Sequence, residues 1–340
     1  MNAKFHDKLN MFRKMSFAKA WNYYKLKRSF KSSKKKKIAL VKGRPFSISI
    51  EPTTACNLGC PECPSGLKQF TRKTGNLKQS LNKKIIDDLS KELFYLTFYF
   101  QGEPYINPNF LDFVSYANTK KIYTATSTNA HFLTPENAEK TVKSGLDRLI
   151  ISIDGSTQAV YEQYRKEGSL EKVIEGTKNI IEAKRKLKSN TPYVIFQFLV
   201  VKPNEHQIDE VKILSEELGV DELKLKSAQV YNYKNGNPLI PENEKYSRYK
   251  KQKDGSYILK NAMDDECWRM WQGSVITWDG KVVPCCFDKD AKHQFGDLSK
   301  ENFDDIWHNK QYQSFRNQLL KNRESIGICK NCSEGTKVWV

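Results

Sequence analysis

Long apolar runs are missing from this 340-residue sequence; none approaches the roughly 18 residues that a membrane span requires. The N-terminus also lacks the apolar stretch of a secretory signal, so a cytoplasmic protein is expected. Histidine is scarce, with five in the chain and none in the first cysteine group. Acid is nearly absent from residues 1–44, which carry 15 Lys and Arg against Asp7 alone. That segment holds +14 of the formal +18, leaving +4 for the other 296 residues. The basicity therefore belongs to a tail and says little about an active site. Apolar residues are not lacking: at 39%, with 12% aromatic, they exclude a disordered chain. The length suits one large domain plus a small one.

The tail is expected to be helical over residues 3–30, with Phe5, Leu9, Phe12, Tyr23, Leu26 and Phe30 roughly on one face and Phe17 and Trp21 elsewhere. It can pack on the domain with its lysines solvated, or make a peripheral contact with an anionic membrane surface. Nucleic-acid binding ranks last of the three.

From residue 45 the pattern alternates strands and helices. Strands are expected at 46–51, 96–100, 122–126, 148–153, 193–201 and 222–226. Helices are expected near 80–94, 108–120, 135–144, 169–188 and 205–218, with Thr134-Pro135 as a start signal and Gly145 and Gly219 as stops. Six such repeats predict parallel βαβ units in an open sheet or a partial (β/α)6 barrel of TIM type, with chemistry at the C-terminal strand ends. The expected organisation is a basic N-terminal helix in 1–44, the barrel core in 45–228, a connector in 229–262 and a small α+β domain in 263–340. Within the last, Asp279-Gly280 between apolar runs signals a hairpin.

Polar residues gather at the expected rim. Strand 1 is followed by Cys56-x3-Cys60-x2-Cys63, strand 2 by "QGEP" (Gln101 to Pro104), strand 3 by "STNA" (Ser127 to Ala130), and strand 4 runs into "SIDGS" with Ser152 and Asp154. Individually the short motifs are ordinary turn sequences. The cysteines are more specific. In a reducing compartment eight cysteines read as metal ligands before disulfides. Three thiolates from one loop can hold three corners of an iron–sulfur cube, leaving the fourth iron open. An open position marks a catalytic metal site, whereas structural sites are closed. The competing reading is zinc completed by a distant His or Cys.

The cysteine motif after the first strand of a (β/α)6 pattern resembles the radical S-adenosylmethionine superfamily. The resemblance implies a [4Fe–4S] cluster on Cys56, Cys60 and Cys63 whose unique iron binds S-adenosylmethionine. One electron would then cleave the sulfonium to methionine and a 5′-deoxyadenosyl radical that takes hydrogen from substrate. Gly102-Glu103 matches the family's "GGE" position with Gln101 for its first glycine, which makes Glu103 the acceptor for the methionyl ammonium. Ser127, Asn129, Ser152 and Asp154 fall where ribose and methionyl contacts are expected, and Arg165 fits a contact to the carboxylate. One departure is Glu62, where the family usually has an aromatic residue before the third cysteine.

The C-terminal segment, with Cys267, Cys285, Cys286, Cys329 and Cys332, resembles a SPASM/Twitch extension in its single-cluster form. The implied ligands of a second cluster, expected to be [4Fe–4S], are Cys267, Cys285, Cys329 and Cys332, with Cys285 and Cys286 not separable from sequence. Fully ligated, it would carry electrons and support an oxidation or maturation. The implied partners are a small-molecule or peptide substrate and an electron donor such as flavodoxin or ferredoxin. Peptide- and protein-modifying maturases belong to the same superfamily. From another class, a zinc-stapled protein binding membrane or nucleic acid through its tail would predict zinc in place of iron.

Overall fold

The computed structural model describes residues 3–261 and 264–332; position 263 and the last eight residues of the expected C-terminal domain lie outside the described residues. The basic tail forms two helices where one was expected, α1 (Ala3–Lys14) and α2 (Phe17–Lys36). The break falls at Ser16, whose hydroxyl accepts from the Lys19 N–H at 3.3 Å and so caps α2.

Six strands then follow as the periodicity predicts, with bounds shifted by one or a few residues. They are β1 (Ser47–Ile50), β2 (Tyr95–Thr97), β3 (Tyr123–Thr128), β4 (Arg148–Ser152), β5 (Tyr193–Val200) and β6 (Glu222–Ser227), each parallel to its neighbour. A four-residue turn of helix, α3 (Pro64–Leu67), and α4 (Gln79–Leu89) follow β1, and α5 (Phe110–Thr119) follows β2. Next come α6 (Pro135–Lys143), then α7 (Gln158–Tyr164) and α8 (Leu170–Lys186) after β4, and α9 (Ile208–Glu217) after β5. The helix α7 is too short to show a clear period in sequence.

Alternation along the strands separates two faces. Ile48, Ile50, Leu96, Leu149, Ile151, Phe196 and Phe198 point outward into the main core beneath the helices. Ser47, Ser49, Thr97, Ser127, Gln197 and Lys224 occupy the alternate positions and remain only half-buried. Tyr95, Ile150 and Leu199 share this inward face, which therefore mixes polar and apolar side chains around the lumen.

Residues 229–262 are less irregular than a plain connector, because β7 (Tyr249–Lys251) and β8 (Tyr257–Leu259) pair in an antiparallel hairpin. The C-terminal segment contributes α10 (Arg269–Gln272), β9 (Val275–Ile276), β10 (Lys281–Val283), β11 (Gly296–Asp297), α11 (Phe303–His308) and α12 (Lys310–Lys321). The expected Asp279-Gly280 hairpin joins β9 to β10. It also does something the sequence did not announce. Strand β9 pairs in parallel with β1, Ser49 opposite Val275, and extends the barrel sheet to nine strands in the order β11-β10-β9-β1-β2-β3-β4-β5-β6.

The helix pair α1–α2 is fastened to the base of the barrel, at the N-terminal strand ends. Asp147, just before β4, accepts from Asn10 Nδ2 and Lys14 Nζ at 2.6 Å each. Asp7 accepts from the Tyr123 hydroxyl and the Arg148 guanidinium. Lys19 Nζ donates to the Lys121 carbonyl at 2.6 Å. No helix among the described residues is long and apolar enough to cross a membrane.

Candidate functional site

The cysteine loop leaves β1 at the opposite, C-terminal rim and is locked against the "QGEP" loop. Glu103 N–H donates to the Ala55 carbonyl at 2.8 Å, and Gly102 N–H donates to Ser65 Oγ at 2.9 Å. Gly102 has φ +75°, and an added Cβ would clash with the Thr53 carbonyl and lie 2.8 Å from that of Ala55. Only glycine lets the two loops approach this closely.

The three thiols meet a polar shell from neighbouring strands. Cys63 Sγ donates to Gln101 Oε1 at 3.9 Å, Asn129 Nδ2 donates to Cys56 Sγ at 4.0 Å, and Arg165 Nη1 donates to Cys60 Sγ at 3.8 Å. Asn129 Nδ2 also reaches Asn57 Oδ1 at 2.8 Å, tying the loop to the end of β3. Arg165 donates through Nε to Asp154 Oδ2, whose other oxygen accepts from the Leu199 N–H at 2.7 Å. Glu103 is buried and accepts from Thr128 Oγ1 at 2.7 Å and from the Asn129 N–H at 2.8 Å.

Cys56, Cys60, Cys63, Gly102, Glu103, Asn129, Asp154 and Arg165 are thus brought together. Ser127 and Ser152 stand on the lumen face of β3 and β4, Ser152 in register with Gln197. Thr128 and Asn57 also belong to the constellation, though neither was selected from sequence; each sits next to a residue that was. Glu62 is half-buried. Its carboxylate accepts from the Tyr231 N–H at 3.0 Å, and its carbonyl accepts from Lys289 Nζ at 3.3 Å. In place of an aromatic platform this position pins the connector and the C-terminal segment to the cysteine loop.

Burial sets the electrostatics. It lifts the Cys56 thiol to about 12, with Glu103 and the two other sulfurs adding to the rise. Burial likewise raises Cys60, against the pull of Arg165. Glu103 rises to about 7 through burial, opposed by the donors from Asn129 and Thr128. Burial opposes the charge on Arg165, but Asp154 and Cys60 hold it protonated. Raised in this way, Cys56 and Cys60 favour the neutral thiol until a bound metal cation displaces the proton. No group of three His, Cys, Asp or Glu that could hold a metal ion is found among the described residues. In an iron–sulfur cluster each thiolate binds an iron of its own.

The second cysteine group draws Cys267 from just before α10, Cys285 and Cys286 from just after β10, and Cys329 and Cys332 from the turns after α12. Burial raises the Cys285 thiol well above its ordinary value, with Cys286, Cys267 and Cys332 adding to the effect. Cys267 and Cys329 are also raised by burial and opposed by Arg323, which donates to Cys332 Sγ at 3.2 Å. Cys286 packs instead against the apolar cluster of Phe100, Val275, Val283 and Ala291.

Comparison with known proteins agrees with this division. Residues 50–211 match the profile of the radical SAM superfamily, and residues 267–333 match the SPASM profile, an iron–sulfur cluster-binding domain. The tungsten-containing aldehyde ferredoxin oxidoreductase cofactor-modifying protein of Pyrococcus furiosus is 25% identical over 318 residues, 84% of this chain and 86% of that protein. Mycofactocin maturase MftC of Mycobacterium tuberculosis is 30% identical over 176 residues, covering 52% of this chain and 43% of the maturase. Among solved structures, SuiB of Streptococcus suis bound to S-adenosylmethionine superposes with TM-score 0.61 at 16% identity, over 92% of this chain and 76% of SuiB. The two profiles define an iron–sulfur enzyme, and the sheet supplies its partial barrel. The chain belongs to the radical S-adenosylmethionine superfamily and carries a SPASM domain. These two domains imply a [4Fe–4S] cluster with S-adenosylmethionine and an auxiliary iron–sulfur cluster.

Proposed function

We propose that Cys56, Cys60 and Cys63 hold the cluster that binds S-adenosylmethionine, and that Cys267, Cys285, Cys329 and Cys332 hold the auxiliary cluster. When bound, the first cluster supplies the electron that cleaves S-adenosylmethionine to a 5′-deoxyadenosyl radical, which abstracts hydrogen from substrate. The observation that carries this reading is the three-thiol loop at the barrel rim, surrounded by an acid from the loop after β2, an amide at the end of β3 and a guanidinium from the end of α7.

This chain's own residues bind and orient. Glu103 presents a carboxylate for the methionyl ammonium, and Arg165 a guanidinium for the methionyl carboxylate. Asn129, Ser127 and Ser152 serve the ribose and methionyl oxygens, whereas Asp154, expected among them, is fully buried with both oxygens engaged and acts by orienting Arg165. Cys285 is favoured over Cys286 because its sulfur shares surroundings with Cys267 and Cys332, whereas Cys286 faces the apolar cluster. Residues 45–228 act as the catalytic core, 263–340 as the auxiliary domain and 229–262 as the link between them.

The substrate enters the lumen as a small molecule or a peptide and leaves oxidised or rearranged, with flavodoxin or ferredoxin as electron donor. Half-buried Ser127, Gln197 and Lys224 on the lumen face support a substrate bearing polar groups. Equilibrium dialysis of S-adenosylmethionine against anaerobically reconstituted protein tests the assignment. Wild type is expected to bind, and Glu103→Gln to bind at least about tenfold more weakly, the loss of one charge-assisted hydrogen bond. Equal affinities would remove Glu103 from the cofactor site.

A further inference from the structure

Helices α1 and α2 leave more apolar surface exposed than their packing uses. Toward the body of the molecule they turn Asp7, Lys14 and Lys19, each with a polar partner, and Leu26 and Phe30, which pack on apolar neighbours. Away from it they turn Phe5, Phe12, Phe17, Trp21 and Tyr24; Phe12 is 77% exposed and Phe17 85%. Of the twelve exposed large apolar side chains among the described residues, eight fall within residues 1–44. Phe17, Trp21 and Tyr24 follow a spacing of four and three, which makes one stripe of α2. Trp21 and Tyr24 stack at 5.2 Å between centroids. Exposed Lys8, Arg13, Arg28, Lys31 and Lys35 flank them.

Beside this face, sharing Phe12 with it, an opening leads into the molecule. An apolar-walled cavity of about 690 Å³ is lined by Phe12, Met15 and Tyr23 at the surface and reaches Ser49, Thr97 and Cys285 inside. Its exposed lining residues all come from α1, α2 and Met15 between them.

We propose that the outer face of α1–α2 is a docking surface for anionic lipid bilayers, its aromatic rings at the boundary of headgroups and acyl chains and its Lys and Arg on the headgroups. Aromatic and basic side chains sharing one exposed face are what an interfacial helix requires, because apolar burial and headgroup attraction then act together. A net charge of +14 over 44 residues fits an anionic surface and opposes association with a second copy of this face. The bilayer covers the mouth of the cavity, so a lipid-borne molecule would reach the lumen without crossing water. This docking does not depend on the clusters or on S-adenosylmethionine.

Cosedimentation of the full-length, cluster-loaded protein with vesicles tests it. The vesicles are phosphatidylcholine alone or phosphatidylcholine with one third phosphatidylglycerol, at about 0.1 M and about 0.5 M salt. Binding is expected to the anionic vesicles, weakened but not abolished by salt. The exposed-residue variant Phe12→Ser/Phe17→Ser/Trp21→Ser should need at least about tenfold more lipid for half-binding. The variant Arg13→Glu/Lys31→Glu/Lys35→Glu should lose the preference for phosphatidylglycerol. Brominated phosphatidylcholine in the same vesicles should quench tryptophan fluorescence in wild type and less in Trp21→Phe. No binding to anionic vesicles at low salt would overturn the proposal. So would equal binding by wild type and the aromatic variant, or a dimer that the aromatic variant dissociates while vesicles leave it intact.

Discussion

Replacing Gly102 by alanine probes the contact on which the cofactor site is built. The position has φ +75°, and a left-handed conformation costs a residue with a Cβ about 1–2 kcal/mol. The new methyl group would also clash with the Thr53 carbonyl and stand 2.8 Å from that of Ala55. Neither is the end of a flexible side chain; both are backbone, one and three residues before Cys56. Overpacking of that kind costs about 1–3 kcal/mol further, so the total is about 2–5 kcal/mol. Relief would come by moving the Thr53–Ala55 backbone, breaking the Glu103 N–H to Ala55 hydrogen bond and displacing Cys56 and Glu103 together. Gly255→Ala is the control, since Gly255 has φ +85° and nothing within 4 Å of an added Cβ. It should cost only the conformational part, about 1–2 kcal/mol. Urea unfolding gives the two stabilities, and iron and S-adenosylmethionine binding after reconstitution give the effect on the site. Gly102→Ala is expected to lose iron from the three-cysteine loop and to bind S-adenosylmethionine at least about tenfold more weakly. Gly255→Ala should change neither. If both variants unfold alike and Gly102→Ala keeps full iron and cofactor affinity, the two loops are not coupled as described.

Other expectations are as direct. Cys285→Ser should lose about half the iron of the reconstituted protein, and Cys286→Ser should keep it all, as read by iron analysis. Lys14→Met removes the cation from a buried pair with Asp147 whose side chains are 11% and 2% exposed. The loss in urea unfolding should be about 3–5 kcal/mol, the cost of an uncompensated buried charge. Glu62→Ala should leave iron content unchanged but speed hydrogen exchange around Tyr231, because its backbone N–H loses its acceptor.

The six strands and most helices were legible because their apolar periods are strong and their ends carry Thr-Pro and glycine signals. The helical character of the tail was legible too, but not its break at Ser16 or its anchorage: besides Leu26 and Phe30 the inward face uses Asp7, Lys14 and Lys19, whose partners Arg148, Asp147 and Lys121 lie more than 100 residues away. The pairing of Val275 with Ser49 was hidden for the same reason, since nothing local to either residue specifies it. At the site, cysteine spacing and rim position pointed to the constellation directly. Thr128 and Asn57 stayed out of view because a hydroxyl and an amide acquire meaning only once Glu103 and Asn129 stand beside them. Glu62 looked anomalous beside a family pattern, and its hydrogen bond to Tyr231 gives the position a different duty.

The central claim is that the three-thiol loop is where radical chemistry begins. The most direct measurement is 5′-deoxyadenosine released from S-adenosylmethionine under dithionite, by wild type and by Cys56→Ala/Cys60→Ala/Cys63→Ala, with iron counted in both. Wild type should hold about eight irons and release the product, while the variant should keep about four and release none. Product from the triple variant, or none from fully loaded wild type, would contradict the account.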